Sequence, residues 1–203
     1  IIDKLSGKEL SLYSLPGHLE VTIGGCVAND VHGKDTFKFG NFGENILEVE
    51  IVLANNEIVT CSNSSNKELF LSTIGGLGLT GIITKIKVNL KKISKYYETS
   101  IYPCKDYKEL IKNLYQQKKK YDFIYGWLDT FKTKKNIGRG IIFKSRKLLH
   151  YHKKKKNNFY TNFTNKIKSR INGFIFAFVV KNNLVKYLNR VFYFLHLIIK
   201  KKT

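Results

Sequence analysis

Val21-Thr22-Ile23-Gly24-Gly25-Cys26-Val27-Ala28-Asn29-Asp30-Val31-His32-Gly33-Lys34 is the stretch that sets the fold class of this 203-residue chain. Its first three residues run into paired glycines, which reads as a short strand over 21–23 ending in a turn. A second stretch, Thr73-Ile74-Gly75-Gly76-Leu77-Gly78-Leu79-Thr80-Gly81-Ile82-Ile83, repeats the glycine pair. Paired glycines let backbone N–H groups approach a ligand with no Cβ in the way. Amides bared in this manner suit an anion such as a pyrophosphate, or the polar edge of a heteroaromatic ring. Thr22 and Thr80 add hydroxyl donors. Neither stretch is a P-loop, because no Gly-Lys-Ser/Thr follows at the needed spacing. Gly76-x-Gly78-x-x-Gly81 has dinucleotide-fingerprint spacing, but a strand follows it where a helix is required. On these residues alone, tight turns in a β-rich domain remain the competing reading.

Outward from these segments the pattern is mixed. Ser14-Leu15-Pro16-Gly17 is a turn signal. Leu47, Val49, Ile51 and Leu53 alternate along a strand with one buried face. Asn55-Asn56 then turns the chain, and Ile58-Val59-Thr60 returns as the hairpin partner. Ser65-x-x-Glu68 is a capping-box pattern for a helix reaching Thr73 and stopped by Gly75-Gly76. Ile82, Ile86, Val88 and Leu90 define a further strand, with Lys85, Lys87 and Asn89 facing out. Residues 99–102 are strand-like. Asp106-x-x-Glu109 caps a helix with the apolar stripe Tyr107, Leu110, Ile111, Leu114. Phe123, Tyr125 and Trp127 alternate as a strand, and residues 138–144 form another. This βαββ order predicts an α+β layer, with helices on one face of an antiparallel sheet.

Charge divides the chain. Residues 1–95 hold 10 Lys/Arg and 10 Asp/Glu, whereas residues 96–203 hold 26 and 5, so the whole net charge of +21 lies in the second part. Glycine agrees, with 11 of 15 in the first part. Two domains are therefore expected, 1–95 and 96–203. Nucleic-acid binding is the reading that such a charge invites, with Tyr151, Phe159, Tyr160 and Phe163 as stacking side chains. The charge excess lies outside the glycine segments and no nucleic-acid motif accompanies it, so no nucleic-acid partner is expected. Cys26, Cys61 and Cys104 are odd in number and widely spaced, which argues against a disulfide scaffold or a zinc site. They read as three small buried residues in a reducing compartment, and no metal is expected. The chain starts at Ile1 and contains no Met, so it reads as an internal piece of a longer protein. Lys residues 153–156 read as a solvated loop. The apolar runs 174–180 and 191–199, separated by Lys181-Asn182-Asn183, are each shorter than the roughly 20 residues that span a bilayer. They suggest an amphipathic, surface-seeking helix.

The two glycine segments together resemble the FAD-binding domain of the vanillyl-alcohol-oxidase/p-cresol-methylhydroxylase (PCMH) superfamily. Within it, Leu15-Pro16-Gly17, the run from Val21 to Lys34, Gly40-Asn41-Phe42-Gly43 and the run from Ile74 to Ile83 are similar to the decaprenylphosphoryl-ribose 2′-oxidase branch. That branch carries L-P-G-T, V-T-V-G-G-A-I-A-x-D-I-H-G-K, G-S-F-G and V-G-G-N-G-L-T-G-I-I. Tyr125-Gly126-Trp127-Leu128-Asp129, then Gly138-Arg139-Gly140, resembles its substrate domain. His18, Asn29 and Leu77 depart from the pattern, standing where the branch has Thr, Cys and Asn. Two family segments have no counterpart in this chain: the upstream R-G-x-G-x-S-Y-G loop and the late segment with a catalytic Lys.

The resemblance implies a partial PCMH-type FAD-binding domain over 1–95, its C-terminal half, followed by an incomplete α+β substrate (cap) domain over 96–203. It implies FAD held by Pro16, Gly17, Thr22, Gly24, Gly25, Ala28, Asn29, His32, Gly33, Gly76, Gly78, Thr80, Gly81 and Ile82. His32 and Lys34 would sit near the reacting side of the flavin as catalytic groups, and Trp127 would wall a sugar pocket. Asp30 is expected to brace its turn through its carboxylate instead of serving catalysis. The implied reaction is oxidation of a sugar secondary hydroxyl on a polyprenyl-phosphate-linked pentose. The lipid-linked sugar phosphate would be the substrate and a separate NAD(P)-dependent reductase subunit the partner. The implied location is cytoplasmic and peripheral to the inner face of the plasma membrane, which suits the basic second part. Codon bias toward Lys, Asn and Ile explains that basic composition equally well. A sugar-lactone (aldonolactone) oxidase of the same superfamily is the alternative enzyme. The isolated chain is expected to hold FAD poorly and to be inactive.

Overall fold

The structure, a computed structural model, describes residues 1–18, 20–94, 96–131, 137–148, 181 and 184–200. Two compact units divide the chain. The first comprises Ile1–Glu98, Gln117–Ile124 and Lys144–Lys147, and the second Thr99–Gln116, Tyr125–Phe143 and Leu148–Thr203.

The first unit runs α1 (Ile2–Ser6), β1 (Leu10–Leu12), α2 (Ile23–Ala28), α3 (Thr36–Phe39), a 3₁₀ turn (Gly43–Asn45) and β2 (Ile46–Val52). It continues with β3 (Ile58–Ser62), α4 (Lys67–Thr73), β4 (Ile82–Val88) and β5 (Leu90–Lys92). β2 is central, with β3 and β4 antiparallel on its two sides. β1 and β5 form a separate antiparallel ribbon. The core lies under the β2 sheet, where Val49, Ile51 and Cys61 meet Val27 and Cys26 of α2, Phe42, and Phe70 of α4. Fully burying such a side chain is worth about 1.5–3 kcal/mol, and this is what pins α2 and α4 to the sheet. The β2–β3 hairpin closes as expected: the Asn56 N–H donates to the Leu53 carbonyl, and Asn56 takes φ 65°.

Four local expectations are corrected. Residues 21–23 are not a strand. Thr22 is extended but acts as the N-cap of α2, its hydroxyl accepting the Gly25 N–H at 3.0 Å, and the helix turn buries Cys26, Val27 and Ala28 together. Leu47 does not face the core. Ile46 pairs with Val88 and Glu48 with Lys87, so β2 carries one extra residue there. This bulge turns Ile46 inward and leaves Leu47 42% exposed. A second irregularity, between the Glu50–Lys85 and Ile51–Ile83 pairs, places Thr84 as the extra residue on β4. Ile83 then faces the core and Ile82 faces out, while Leu90 leaves that sheet to pair with Leu12. The capping box at Ser65 does not form. Asn66 is the N-cap of α4, in a left-handed conformation with no side-chain cap, and its amide donates to the Thr60 carbonyl.

The later elements are β6 (Tyr97–Cys104), α5 (Tyr107–Gln117), β7 (Phe123–Leu128), β8 (Gly140–Lys147) and α6 (Val185–Lys200). The sheet order is β6-β8-β7, giving the α+β class. Asp106 caps α5 as its spacing requires, Oδ1 accepting the Glu109 N–H at 2.9 Å. Leu110 and Leu114 of α5 lie over Gly126, but Tyr107 and Ile111 of the expected stripe are exposed. Tyr125 stacks on Phe143 with ring centroids 5.0 Å apart. Tyr193 anchors α6, buried with its hydroxyl donating to the Cys104 carbonyl at 3.1 Å. No helix among the described residues is long and apolar enough to cross a membrane. The lysine run 153–156, the apolar run 174–180, Asn182-Asn183 and the aromatic residues Tyr151, Phe159, Tyr160 and Phe163 lie outside the described residues.

Candidate functional site

The two glycine segments, some fifty residues apart in sequence, are stitched together by backbone hydrogen bonds. The Gly75 N–H donates to the Val27 carbonyl at 3.0 Å and the Leu77 N–H to the Ala28 carbonyl at 2.8 Å. The turn from α4 into β4 therefore docks on the C-terminal end of α2. Asp30 secures the other side of that junction. Its Oδ1 accepts the Gly43 N–H at 2.8 Å and its Oδ2 the Asn41 side-chain amide at 3.1 Å. Asp30 itself sits at φ 42°, a conformation that Asp tolerates better than most residues. Its bracing role is the one its place in the turn suggested.

The glycines fall into two kinds. Gly76 and Gly81 are needed for internal close packing. A Cβ on Gly76 would lie 2.0 Å from the Ser72 carbonyl oxygen, and one on Gly81 would lie 2.4 Å from that of Val52. Gly33 is similar, with the Leu15 carbonyl oxygen 2.8 Å from its Cβ position. Gly17, Gly24 and Gly78 are open: nothing lies within 4 Å of the Cβ position of Gly17 or Gly78, and Gly24 meets only Ile83 at 3.9 Å. Gly25 supports the cap of α2 through Thr22, and the Asn29 side-chain amide donates back to the Gly25 carbonyl at 2.9 Å. The first amides of a helix have no partner within it, so the Ile23 and Gly24 N–H groups emerge beside the open face of Gly24. Ala28 is buried, and Ile82 is exposed at the start of β4. Thr80 turns inward to meet the Thr73 hydroxyl at 2.9 Å.

Surface around the second segment is apolar. Leu77, Leu79 and Ile82 are 71%, 87% and 72% exposed. On the α2 side, a cavity of about 300 Å³ is lined by Leu12, Ile23, Gly24, Ile83 and Ile86, and another of about 290 Å³ by Leu15, Pro16, His18 and Val21. Open glycine backbone next to exposed apolar side chains is the donor set that a large, flat, partly charged heteroaromatic ligand requires. Pro16, Gly17 and Lys34 line a third cavity of about 300 Å³ with Leu15, Asp35 and Lys91. His32 is exposed, and Lys34 is exposed with its carbonyl accepting the Ile124 N–H. Trp127 is half-buried, its ring edge-on to Phe192 at 4.9 Å.

Sequence reasoning missed a buried ion pair. Asp35, 3% exposed, accepts from the Lys91 ammonium and from the Ser14 N–H. The ammonium is ringed by Tyr13, Phe39 and Phe123 at 5.2–5.4 Å. No local pattern could have joined positions 14, 35 and 91. The three cysteines are buried free thiols, as expected. Burial pushes the thiol pKa of Cys26 up; burial and then the Glu48 charge do the same at Cys61.

Residues 2–62 match a family described as FAD binding domain. Those residues, under a third of the chain, are thus similar to part of an FAD-binding domain, and FAD is the cofactor that this match indicates. Among individual relatives, cytokinin dehydrogenase 2 of Arabidopsis thaliana is 35% identical over 95 residues, 47% of this chain and 19% of that protein. Decaprenylphosphoryl-beta-D-ribose oxidase of Mycolicibacterium smegmatis is 36% identical over 84 residues, 41% of this chain and 18% of that protein. The chain thus spans less than a fifth of either relative. The crystal structure of 6-hydroxy-D-nicotine oxidase from Arthrobacter nicotinovorans superposes with a TM-score of 0.53 at 20% identity, covering 73% of this chain and 34% of that one. That likeness concerns the fold.

Proposed function

We propose that this chain is part of an FAD-dependent oxidoreductase acting on a secondary hydroxyl of a polyprenyl-phosphate-linked pentose. The observation that carries the redox reading is the joining of the two glycine segments through Gly75–Val27 and Leu77–Ala28. The similarity to the mycobacterial oxidase supports the sugar. FAD, when bound, supplies the acceptor for the hydride leaving the sugar carbon. The chain's own residues bind and orient. Gly17, Gly24 and Gly78, with Pro16, present open backbone to the dinucleotide, while Thr22, Gly25, Ala28 and Asn29 fix the helix turn beside it. Gly33, Gly76, Thr80 and Gly81 hold the cradle's shape, and Ile82 adds apolar surface beside Leu77 and Leu79. His32 and Lys34 serve the reacting side, the imidazole orienting a hydroxyl and the ammonium steadying negative charge. Trp127 packs against the sugar. A separate NAD(P)-dependent reductase takes the keto sugar onward, and the protein works in the cytoplasm against the inner face of the plasma membrane.

The similarity to cytokinin dehydrogenases favours a second reading, in which a cytokinin is the substrate. The two are separated by purifying the full-length protein, measuring bound flavin, and following loss of flavin absorbance without oxygen. Bleaching by a polyprenyl-phosphoryl pentose is the expected result. Bleaching by a cytokinin alone would move the assignment to the second reading, and a protein free of flavin would overturn both.

A further inference from the structure

Within the second unit, a cavity of about 270 Å³ opens between α6 and the segment that ends β7 and begins β8, lined by Asp129, Arg139, Lys186 and Arg190 among aromatic side chains. The carboxylate of Asp129 is 1% exposed and fully committed. Its Oδ2 accepts from both Nε and Nη2 of Arg139 at 2.9 Å, and its Oδ1 from the Phe131 N–H and the Asn189 side-chain amide, each at 3.2 Å. Arg139 is held from the other side by the face of Tyr193, 4.6 Å from its guanidinium carbon. Lys186, Arg190 and Phe194 follow one another at four-residue spacing along α6, so they form one stripe, next to the Asn189–Tyr193 stripe that anchors the helix. Among the described residues no carboxylate pairs with Lys186 or Arg190. Both side chains are exposed, and each lies near an aromatic ring, Tyr187 and Phe194 respectively. Three cations thus face the cavity against one acid whose acceptor capacity is already used.

We propose that this cavity binds the phosphate of an organic phosphate ester, gripped by Lys186 and Arg190 over the fixed Arg139, with Phe131, Tyr187 and Phe194 against the organic part. Phosphate is the group that matches this lining. It brings up to two negative charges and several strong acceptors to a site whose excess is two positive charges, and arginine presents a planar fork of donors to it. Volume limits the ligand to a phosphate with a ring or short chain, and excludes a dinucleotide. The same chemistry is offered by a soluble phosphate ester and by a lipid headgroup. A phosphate-linked substrate of the kind proposed above would fit, but the site does not depend on that reading, and its test involves no flavin turnover.

The test titrates the intact protein with phenyl phosphate by calorimetry, and in parallel measures its sedimentation with phosphatidylcholine vesicles with and without phosphatidic acid. The variants are Lys186→Gln/Arg190→Gln and, as a control of equal net charge, Lys67→Gln/Lys87→Gln in the first unit, where both side chains are exposed. Circular dichroism checks that each variant remains folded. Loss of the two cations should weaken phenyl phosphate binding about tenfold or more, with the control unchanged. If only the phosphatidic acid dependence falls in the α6 variant, the site stands and its phosphate belongs to a lipid. Equal weakening by both double variants would mean diffuse charge attraction, and wild-type behaviour of the α6 variant in both arms would mean no site. Either result overturns the proposal.

Discussion

Replacing Gly81 and Gly78 by alanine, one at a time, separates the closely packed glycine from the open one. At Gly81 the new Cβ would lie 2.4 Å from the Val52 carbonyl oxygen and 2.7 Å from Ile51 Cγ2, on a backbone at φ +147°. The Val52 carbonyl belongs to the central strand and the Ile51 side chain is fully buried, so neither can give way cheaply. Overpacking of a core costs about 1–3 kcal/mol and backbone strain of this kind a further 1–3 kcal/mol. Gly81→Ala should therefore lose about 2–6 kcal/mol of folding stability. At Gly78 nothing lies within 4 Å of the new Cβ, and only the positive φ of 78° opposes the change. That substitution should cost about 1–2 kcal/mol. Urea unfolding of the full-length protein measures both, and quenching of FAD fluorescence on titration measures affinity. Gly78→Ala should retain most of its stability while its FAD affinity falls about tenfold or more, since a methyl group would stand where the cofactor approaches the backbone. If Gly81→Ala is as stable as the parent, the close packing of β4 on β2 is wrong. If Gly78→Ala holds FAD as tightly as the parent, the open glycine is not part of the cradle.

Two further outcomes follow from buried and half-buried charges in the first unit. Removing one partner of the Asp35–Lys91 pair by Lys91→Met should destabilise the protein by about 3–5 kcal/mol, because Asp35 would be left charged and nearly inaccessible to water; an unchanged urea midpoint would refute this. At Asp122, burial raises the carboxyl pKa, but the Lys38 ammonium at 2.7 Å and the Lys147 N–H at 2.8 Å outweigh it and hold the pKa below the usual carboxylate value. A depressed folded-state pKa contributes stability above the unfolded value of about 3.9, and that contribution is lost as pH falls through the folded value. Acid titration of stability should therefore be shallower below about pH 4 in Lys38→Met than in the parent, and identical acid limbs would show that Lys38 does not set the shift.

Much of this molecule is legible one segment at a time. The Asn55-Asn56 turn, the Asp106 cap and the burial of the three cysteines each depend on a few adjacent residues or on a side chain's own chemistry, and each is found where the sequence places it. The paired glycines suggest a backbone-lined cradle, because glycine leaves its amides bare, and the structure does join the two segments that they mark. Misreadings arise where a strand departs from strict alternation. A bulge at Leu47 and another at Thr84 shift which apolar residues reach the core, and a bulge is a property of two paired strands, invisible in either alone. Thr22 shows the same limit: its β-branched neighbours suggest a strand, yet with no partner strand the lower-energy course is to cap a helix that buries Cys26, Val27 and Ala28.

Only the tertiary structure brings Gly75 and Leu77 onto Val27 and Ala28, Ser14 and Lys91 onto Asp35, and Arg139 and Asn189 onto Asp129. Short-range hydrogen bonds and side-chain periodicity are written into consecutive residues, so they survive as patterns in the chain. Pairs tens of residues apart are chosen by how the layers pack, and buried charges are tolerated only where that packing supplies every partner.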